Sequence, residues 1–105
     1  MNIQDVCPEH IINEYSRKLK VCGHPLRIKL LCAISLQNGP CVTNLWTSIG
    51  GESQPVISQH LAVLKEHGIV DSVIQGNRRI YSIKDSFIRD LVARMLEDTG
   101  RPSVT

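Results

Sequence analysis

The residues best placed to do chemistry in this chain are four cysteines, a run of uncharged polar side chains and a pair of arginines. Cys7, Cys22, Cys32 and Cys41 lie nine to fifteen residues apart, and no Cys-x-x-Cys pair occurs. That spacing argues against a zinc knuckle and against a thioredoxin-like redox motif. In a reducing compartment such cysteines are free thiols, metal ligands or sensors rather than disulfides. Cys41 is the one whose position favours reactivity. It stands where a short helix should start, so free N–H groups and the helix dipole stabilise its thiolate. Cys22 and Cys32 fall on apolar helices and read first as inert small hydrophobes. The polar run, Gln54, Ser58, Gln59 and His60, can hydrogen-bond to base edges or phosphate oxygens. Asn77, Arg78 and Arg79 lie at a turn from which they can reach phosphates or the minor groove. His10, His24 and His67 read as solvated or turn-capping. Nothing points to catalysis: there is no nucleotide-binding glycine loop, no His/Asp pair flanking an activated serine and no paired carboxylates.

These groups need elements to hold them, and the stretch from Ser53 to Gly68 is the one that organises the rest. Ile57, Leu61 and Leu64 recur at i, i+4 and i+7, which puts three branched side chains on one helical face. Ser53 is an N-cap, Pro55 falls in the first turn, and Gly68 stops the helix in a left-handed conformation. Ser53 and Val56, at the start of this helix, join Gln54, Ser58, Gln59 and His60 in the expected DNA-facing set.

Upstream, residues 1–8 read as a flexible arm. A helix over 9–22 carries Ile12, Tyr15, Leu19 and Cys22, with Arg17, Lys18 and Lys20 off that stripe. Gly23-His24-Pro25 starts a second, nearly all-apolar helix to about Leu36, which should be the buried centre. Val42, Leu45, Trp46 and Ile49 mark a short third helix, and Gly50-Gly51-Glu52 turns it into the Ser53 helix, a helix-turn-helix arrangement. Downstream the period changes to two. Ile69–Gln75 and Arg79–Ile83 form a hairpin around Gly76-Asn77-Arg78. Asp85 or Ser86 caps a last helix, over about 86–97, with Ile88, Leu91, Val92, Met95 and Leu96 as its seam. Residues 9–98 are therefore one domain, and 99–105 a disordered tail.

At 105 residues the chain has room for one core, and with 4% aromatics that core must be aliphatic. A net charge of +2 does not by itself announce nucleic-acid binding. No apolar run has bilayer length and the N-terminus is not a secretory signal, so a cytoplasmic protein without a membrane partner is expected. The fold class is mainly α with a β-hairpin wing: four helices, two strands and a closing helix in a winged helix-turn-helix. The stripes on the first and last helices are broader than a lone small domain needs. Burying them against a second copy gives a two-fold homodimer that reads an imperfectly palindromic double-stranded operator. Two other readings stand beside this one: a winged-helix module that binds a protein partner and little or no DNA, and a zinc- or metalloid-buffering protein.

The strings HPLRIKLL, CVTNL, SQPVISQHLAVLKEHGIV and RRIYSI, within residues 20–96, resemble the ArsR/SmtB type of bacterial repressor. S-x-x-x-x-S-Q-H-L-x-x-L-x-x-x-G-(I/L)-V is the most specific of the matches. The resemblance implies a homodimeric transcriptional repressor released from its operator by an inducer. It puts Ser53, Gln54, Ser58, Gln59 and His60 on the recognition helix, and Arg78, Arg79 and Tyr81 on the wing. The family's effector sites are each only partly present. The dimer-interface zinc site needs Asp-x-His where this chain has Asp85-Ser86-Phe87, and no histidine follows. The arsenic or cadmium motif Cys-Val-Cys-Asp-Leu reads Cys41-Val42-Thr43-Asn44-Leu45 here, and Cys7 is the candidate to complete it. Cys32 matches one half of a sulfur-responsive pair whose late second cysteine is missing. The expected sensor is therefore a thiol (Cys41, with Cys7 and Cys32 as further candidates) answering As(III), a soft divalent metal, or an oxidant or persulfide. A metal would use Cys41 and Cys7 at most.

Overall fold

Caps and glycines set where each segment begins and ends. The computed structural model describes residues 1–100. Helices α1 (Ile3–Val6), α2 (Glu9–Cys22), α3 (Pro25–Leu36), α4 (Val42–Ile49) and α5 (Gln54–Glu66) precede strands β1 (Val70–Gln75) and β2 (Arg78–Ile83), and α6 (Ser86–Asp98) follows. This is the winged helix-turn-helix order, with one addition. The arm expected to be flexible carries a helical turn, capped by the Asn2 side chain, which accepts from the Gln4 N–H at 3.1 Å. That turn buries nothing, since Ile3 and Val6 stay exposed. At the other end, Thr99 is the C-cap of α6 and Gly100 takes a positive φ of 74°, both within the stretch expected as a tail. Its remainder, 101–105, lies outside the described residues. Among the described residues no helix is long and apolar enough to cross a membrane.

The core is aliphatic and centred on α3. Leu30 and Leu31 join Leu45 of α4, Ile57, Leu61 and Leu64 of α5, Ile69, Val70, and Ile88 of α6 in one fully buried cluster. Each such side chain contributes roughly 1.5–3 kcal/mol relative to exposure. Intrinsic helix propensity differs by only about 0.7 kcal/mol among ordinary residues. Burial, not propensity, therefore decides which way each helix faces.

Polar groups then lock the packed helices. Of the two candidate caps, Asp85 is the one used: its Oδ1 accepts from the Ile88 N–H at 2.9 Å. Its Oδ2 lies 2.7 Å from Lys18 Nζ, which also sits 4.7 Å from the centre of the Tyr15 ring. Lys18, placed off the apolar stripe by the sequence, is thus tucked between α2 and α6. Burial pushes the Asp85 carboxyl up, but the Lys18 ammonium and the Ile88 and Phe87 N–H groups outweigh it and hold the carboxyl below its usual range.

Two glycines do conformational work. Gly68 (φ 73°) closes α5 in a Schellman turn: its N–H donates to the Lys65 carbonyl at 3.0 Å and the Ile69 N–H to the Leu64 carbonyl at 2.9 Å. Gly76 (φ 63°) supplies the first central residue of a two-residue hairpin turn, as in type II′. The sequence places a three-residue tip at Gly76-Asn77-Arg78. In the structure Arg78 pairs with Gln75 and already belongs to β2. A β-carbon on Gly68 would meet nothing within 4 Å, so its substitution tests backbone conformation alone. Gly68→Ala should lower the free energy of unfolding by about 1–2 kcal/mol, read from the urea midpoint at constant m-value.

Candidate nucleic-acid interface

With Ile57, Leu61 and Leu64 buried, α5 turns Gln54, Ser58 and Gln59 to solvent, and none of the three makes a side-chain hydrogen bond among the described residues. Ser53 is partly committed, its Oγ accepting from the Val56 N–H at 3.4 Å. Val56 is half-buried and packs on the core. His60 differs most from expectation. It is half-buried on the flank facing α3, and its Nδ1 accepts from Arg27 Nε at 3.1 Å. Its ring lies 4.9 Å from that of His24. Desolvation, then the neighbouring Arg27 and His24, push its pKa below the usual histidine value, so it serves as a neutral acceptor that fastens α5 to α3.

Arg78 and Arg79 are consecutive in β2, and consecutive strand residues point to opposite faces. The two guanidiniums therefore part company. Arg79 Nη1 donates to Ser72 Oγ at 2.9 Å, on the side of the sheet facing α5. Arg78 Nη2 reaches the N-terminus of α4, donating to Asn44 Oδ1 at 2.8 Å and to Cys41 Sγ at 3.2 Å. Asn77 stands exposed at the tip.

Cys41 is the N-cap of α4, as its position in the sequence predicts. Asn44 Oδ1 accepts from both the Cys41 backbone N–H and its thiol at 3.0 Å. The hydrogen bond from Arg78, followed by the backbone N–H groups of Asn44 and Thr43, pulls the Cys41 pKa down to about 7. Desolvation pushes the other two helical thiols the opposite way, Cys22 to about 11 and Cys32 upward. Cys7 is half-buried in the arm. Among the described residues no three His, Cys, Asp or Glu side chains gather to hold a metal ion. The neighbour of Cys41 is a guanidinium, which repels a metal cation.

The family model described as "Bacterial regulatory protein, arsR family" matches residues 24–72, from the cap of α3 into β1. The HTH-type transcriptional regulator YgaV of Escherichia coli (strain K12) is 36% identical over 77 residues, spanning 73% of this chain and 77% of that protein. The chain belongs to the ArsR family. It is a transcription regulator and not an enzyme. The crystal structure of the transcriptional repressor BigR from Xylella fastidiosa has the same fold, with a TM-score of 0.75 at 30% identity, covering 98% of this chain and 100% of that one. A homodimeric winged helix-turn-helix DNA-binding domain from Mycobacterium bovis, solved by NMR, shares the fold with a TM-score of 0.72 at 20% identity, over 95% and 88% of the two chains.

For this ArsR-family chain, sequence reasoning reached Cys41 but not its partner. The free N–H groups and dipole of the helix start, credited by the sequence, do contribute, whereas Arg78, 37 residues away, is the larger influence. The alternation of a strand shows that Arg78 and Arg79 diverge; only the fold shows what each one meets. Arg78→Ala should move the pH midpoint for alkylation of Cys41 from about 7 toward the ordinary thiol value of about 8.5. Mass spectrometry of iodoacetamide-labelled protein measures it, and an unmoved midpoint would return the activation to the helix terminus.

Proposed function

We propose that this chain is a homodimeric repressor that binds an operator in double-stranded DNA and releases it when a thiol-directed signal reaches Cys41. The observation that carries the DNA reading is the outward face of α5, where Gln54, Ser58 and Gln59 stand exposed and unpaired on a helix fixed from behind. Amides and hydroxyls so placed can bond to base edges in a major groove wide enough for a helix. Asn77 and Arg79 on the wing would contact the flanking backbone. His60, given to Arg27, is left out of the contact set, and Ser53 and Val56 act chiefly as cap and support.

The dimer reading rests on apolar side chains left open on two helices. Ile12, Tyr15 and Leu19 of α2, with Leu19 47% exposed, are uncovered, as are Leu91 and Met95 of α6. Tyr15 packs edge-on against Phe87 at 4.8 Å, which joins the two helices. A second copy of the chain would cover these side chains and set two α5 helices for half-sites of an imperfect palindrome; the Mycobacterium bovis domain of the same fold is homodimeric. Such a protein works on DNA in the cytoplasm.

For the signal, the low pKa of Cys41 and its cationic neighbour favour an oxidant, persulfide or other electrophile. As(III) or a soft divalent metal would instead have to draw in donors from elsewhere, such as Cys7. Arg78 supplies the route to DNA: modifying the Cys41 sulfur alters the contact that holds the tip of the wing to α4.

A duplex titration tests the DNA reading. Affinity should fall steeply with salt and favour one sequence, and Gln59→Ala should cost about 1–3 kcal/mol and relax preference at one base position. Salt-insensitive or absent binding would favour a protein-interaction module. Cys41→Ser should keep operator binding and lose release by peroxide or a persulfide donor in a gel-shift assay; a retained response would remove Cys41 as the sensor.

A further inference from the structure

A second charged cluster, away from Cys41, sits where α5 meets the wing. Lys65 follows Ser58 by seven residues and Gln54 by eleven, so these three share one flank of α5. Ser72 faces Tyr81 across the hairpin, and Arg79 lies two residues from Tyr81 along β2, so Ser72 and Arg79 are on the same side of the sheet. Ser72 Oγ accepts from Lys65 Nζ at 2.8 Å and from Arg79 Nη1 at 2.9 Å.

One neutral oxygen thereby spends both lone pairs on two cations. Among the described residues neither cation has a carboxylate within 4.0 Å. The acid beside them in sequence, Asp71, turns its Oδ1 to the Ser72 backbone N–H at 2.8 Å. Two like charges held together without a counter-ion repel each other, and an anion with several acceptor oxygens relieves that repulsion. A phosphate offers those oxygens, and a lysine and an arginine are the side chains suited to it.

We infer that Lys65 and Arg79, aligned by the Ser72 hydroxyl, form a clamp for a single phosphate of the DNA backbone. The inference rests on the DNA-binding reading above and adds a site to it. The flank that starts with Gln54 and Ser58 at the proposed base-reading end of α5 finishes on this clamp, which ties the helix and the wing to one point of the duplex. Lys65 and Ser72 thereby join Arg79 as backbone-contacting and positioning residues. A phosphate held by two cations counts once in counterion release, so the two side chains should behave as one contact.

The test is fluorescence anisotropy of the full chain on a duplex selected by the wild-type protein from a random pool, with a scrambled duplex beside it, over a range of KCl concentrations. Lys65→Gln and Arg79→Gln should each weaken both duplexes alike and leave the slope of log K against log [KCl] nearly unchanged. The double variant should make that negative slope shallower by about 0.9 per subunit. Ser72→Ala should weaken binding several-fold with the slope and the melting temperature kept. Single variants that each remove about 0.9 and add would make these two separate contacts and overturn the clamp. A double variant with the wild-type slope would also overturn it. Failure of the DNA-binding reading shows in a different arm, as wild-type protein that does not bind either duplex in a salt-dependent way.

Discussion

The burial of a single edge of α5 is the constraint on which the rest depends. Ile57, Leu61 and Leu64 are all fully enclosed, and together they contribute several kcal/mol that any other rotation of the helix would forfeit. Successive residues are separated by about 100° around a helix, so a slip of one position toward Ser58 would carry the seam off the core and bring Ser58, Lys65 and the Gln54 amide onto it. An unpaired buried amide costs about 1–3 kcal/mol, which reinforces the same choice. The polar face is therefore oriented by what lies behind it, and His60, on the flank of that seam, is drawn into the packing by Arg27.

The hairpin imposes the second constraint. A strand has two faces, and β2 uses both: Arg78 goes to α4 and Arg79 toward the end of α5. The net charge of +2 therefore understates what the molecule presents locally. Single guanidiniums and one ammonium are placed where a neutral oxygen or a thiol holds them, instead of being neutralised by carboxylates. Lys18, paired with Asp85, is structural and ties α2 to α6, while Arg94 pairs with Glu97 and Asp98 within α6 itself.

Much of this was legible in the chain, and the reason is local. Gly23, Gly68 and Gly76, Pro25 and Pro55, and the caps Ser53 and Asp85 mark boundaries by backbone geometry and by hydrogen bonds to residues two to four positions away. Such signals need no knowledge of the fold. Two of the readings that changed depended on partners far along the chain. Lys18 looked like a surface lysine because Asp85 is 67 positions distant, and His60 looked free because Arg27 is 33 positions away. The hairpin tip was misjudged by one residue, since Gly-Asn suffices for a two-residue turn and leaves Arg78 to pair. The turn of α1 depends on an Asn2 cap and a Gln4–Glu9 hydrogen bond at 3.2 Å, too short a segment to show a period.

The four cysteines show why counting them says little. A thiol pulled to about 7 and one pushed to about 11 differ by about four orders of magnitude in the ratio of thiolate to thiol at a given pH. At neutral pH Cys41 is close to half ionised, whereas Cys22 is almost wholly protonated and enclosed. Reagents that seek thiolates are thereby sorted among identical side chains by one arginine and one apolar core. The same arginine belongs to the wing, so the charge that makes Cys41 reactive is also the one its modification would disturb. Reactivity and its consequence for the wing therefore share a single contact, and a side chain that altered one without the other would have to replace Arg78 by a group able to satisfy Asn44 alone.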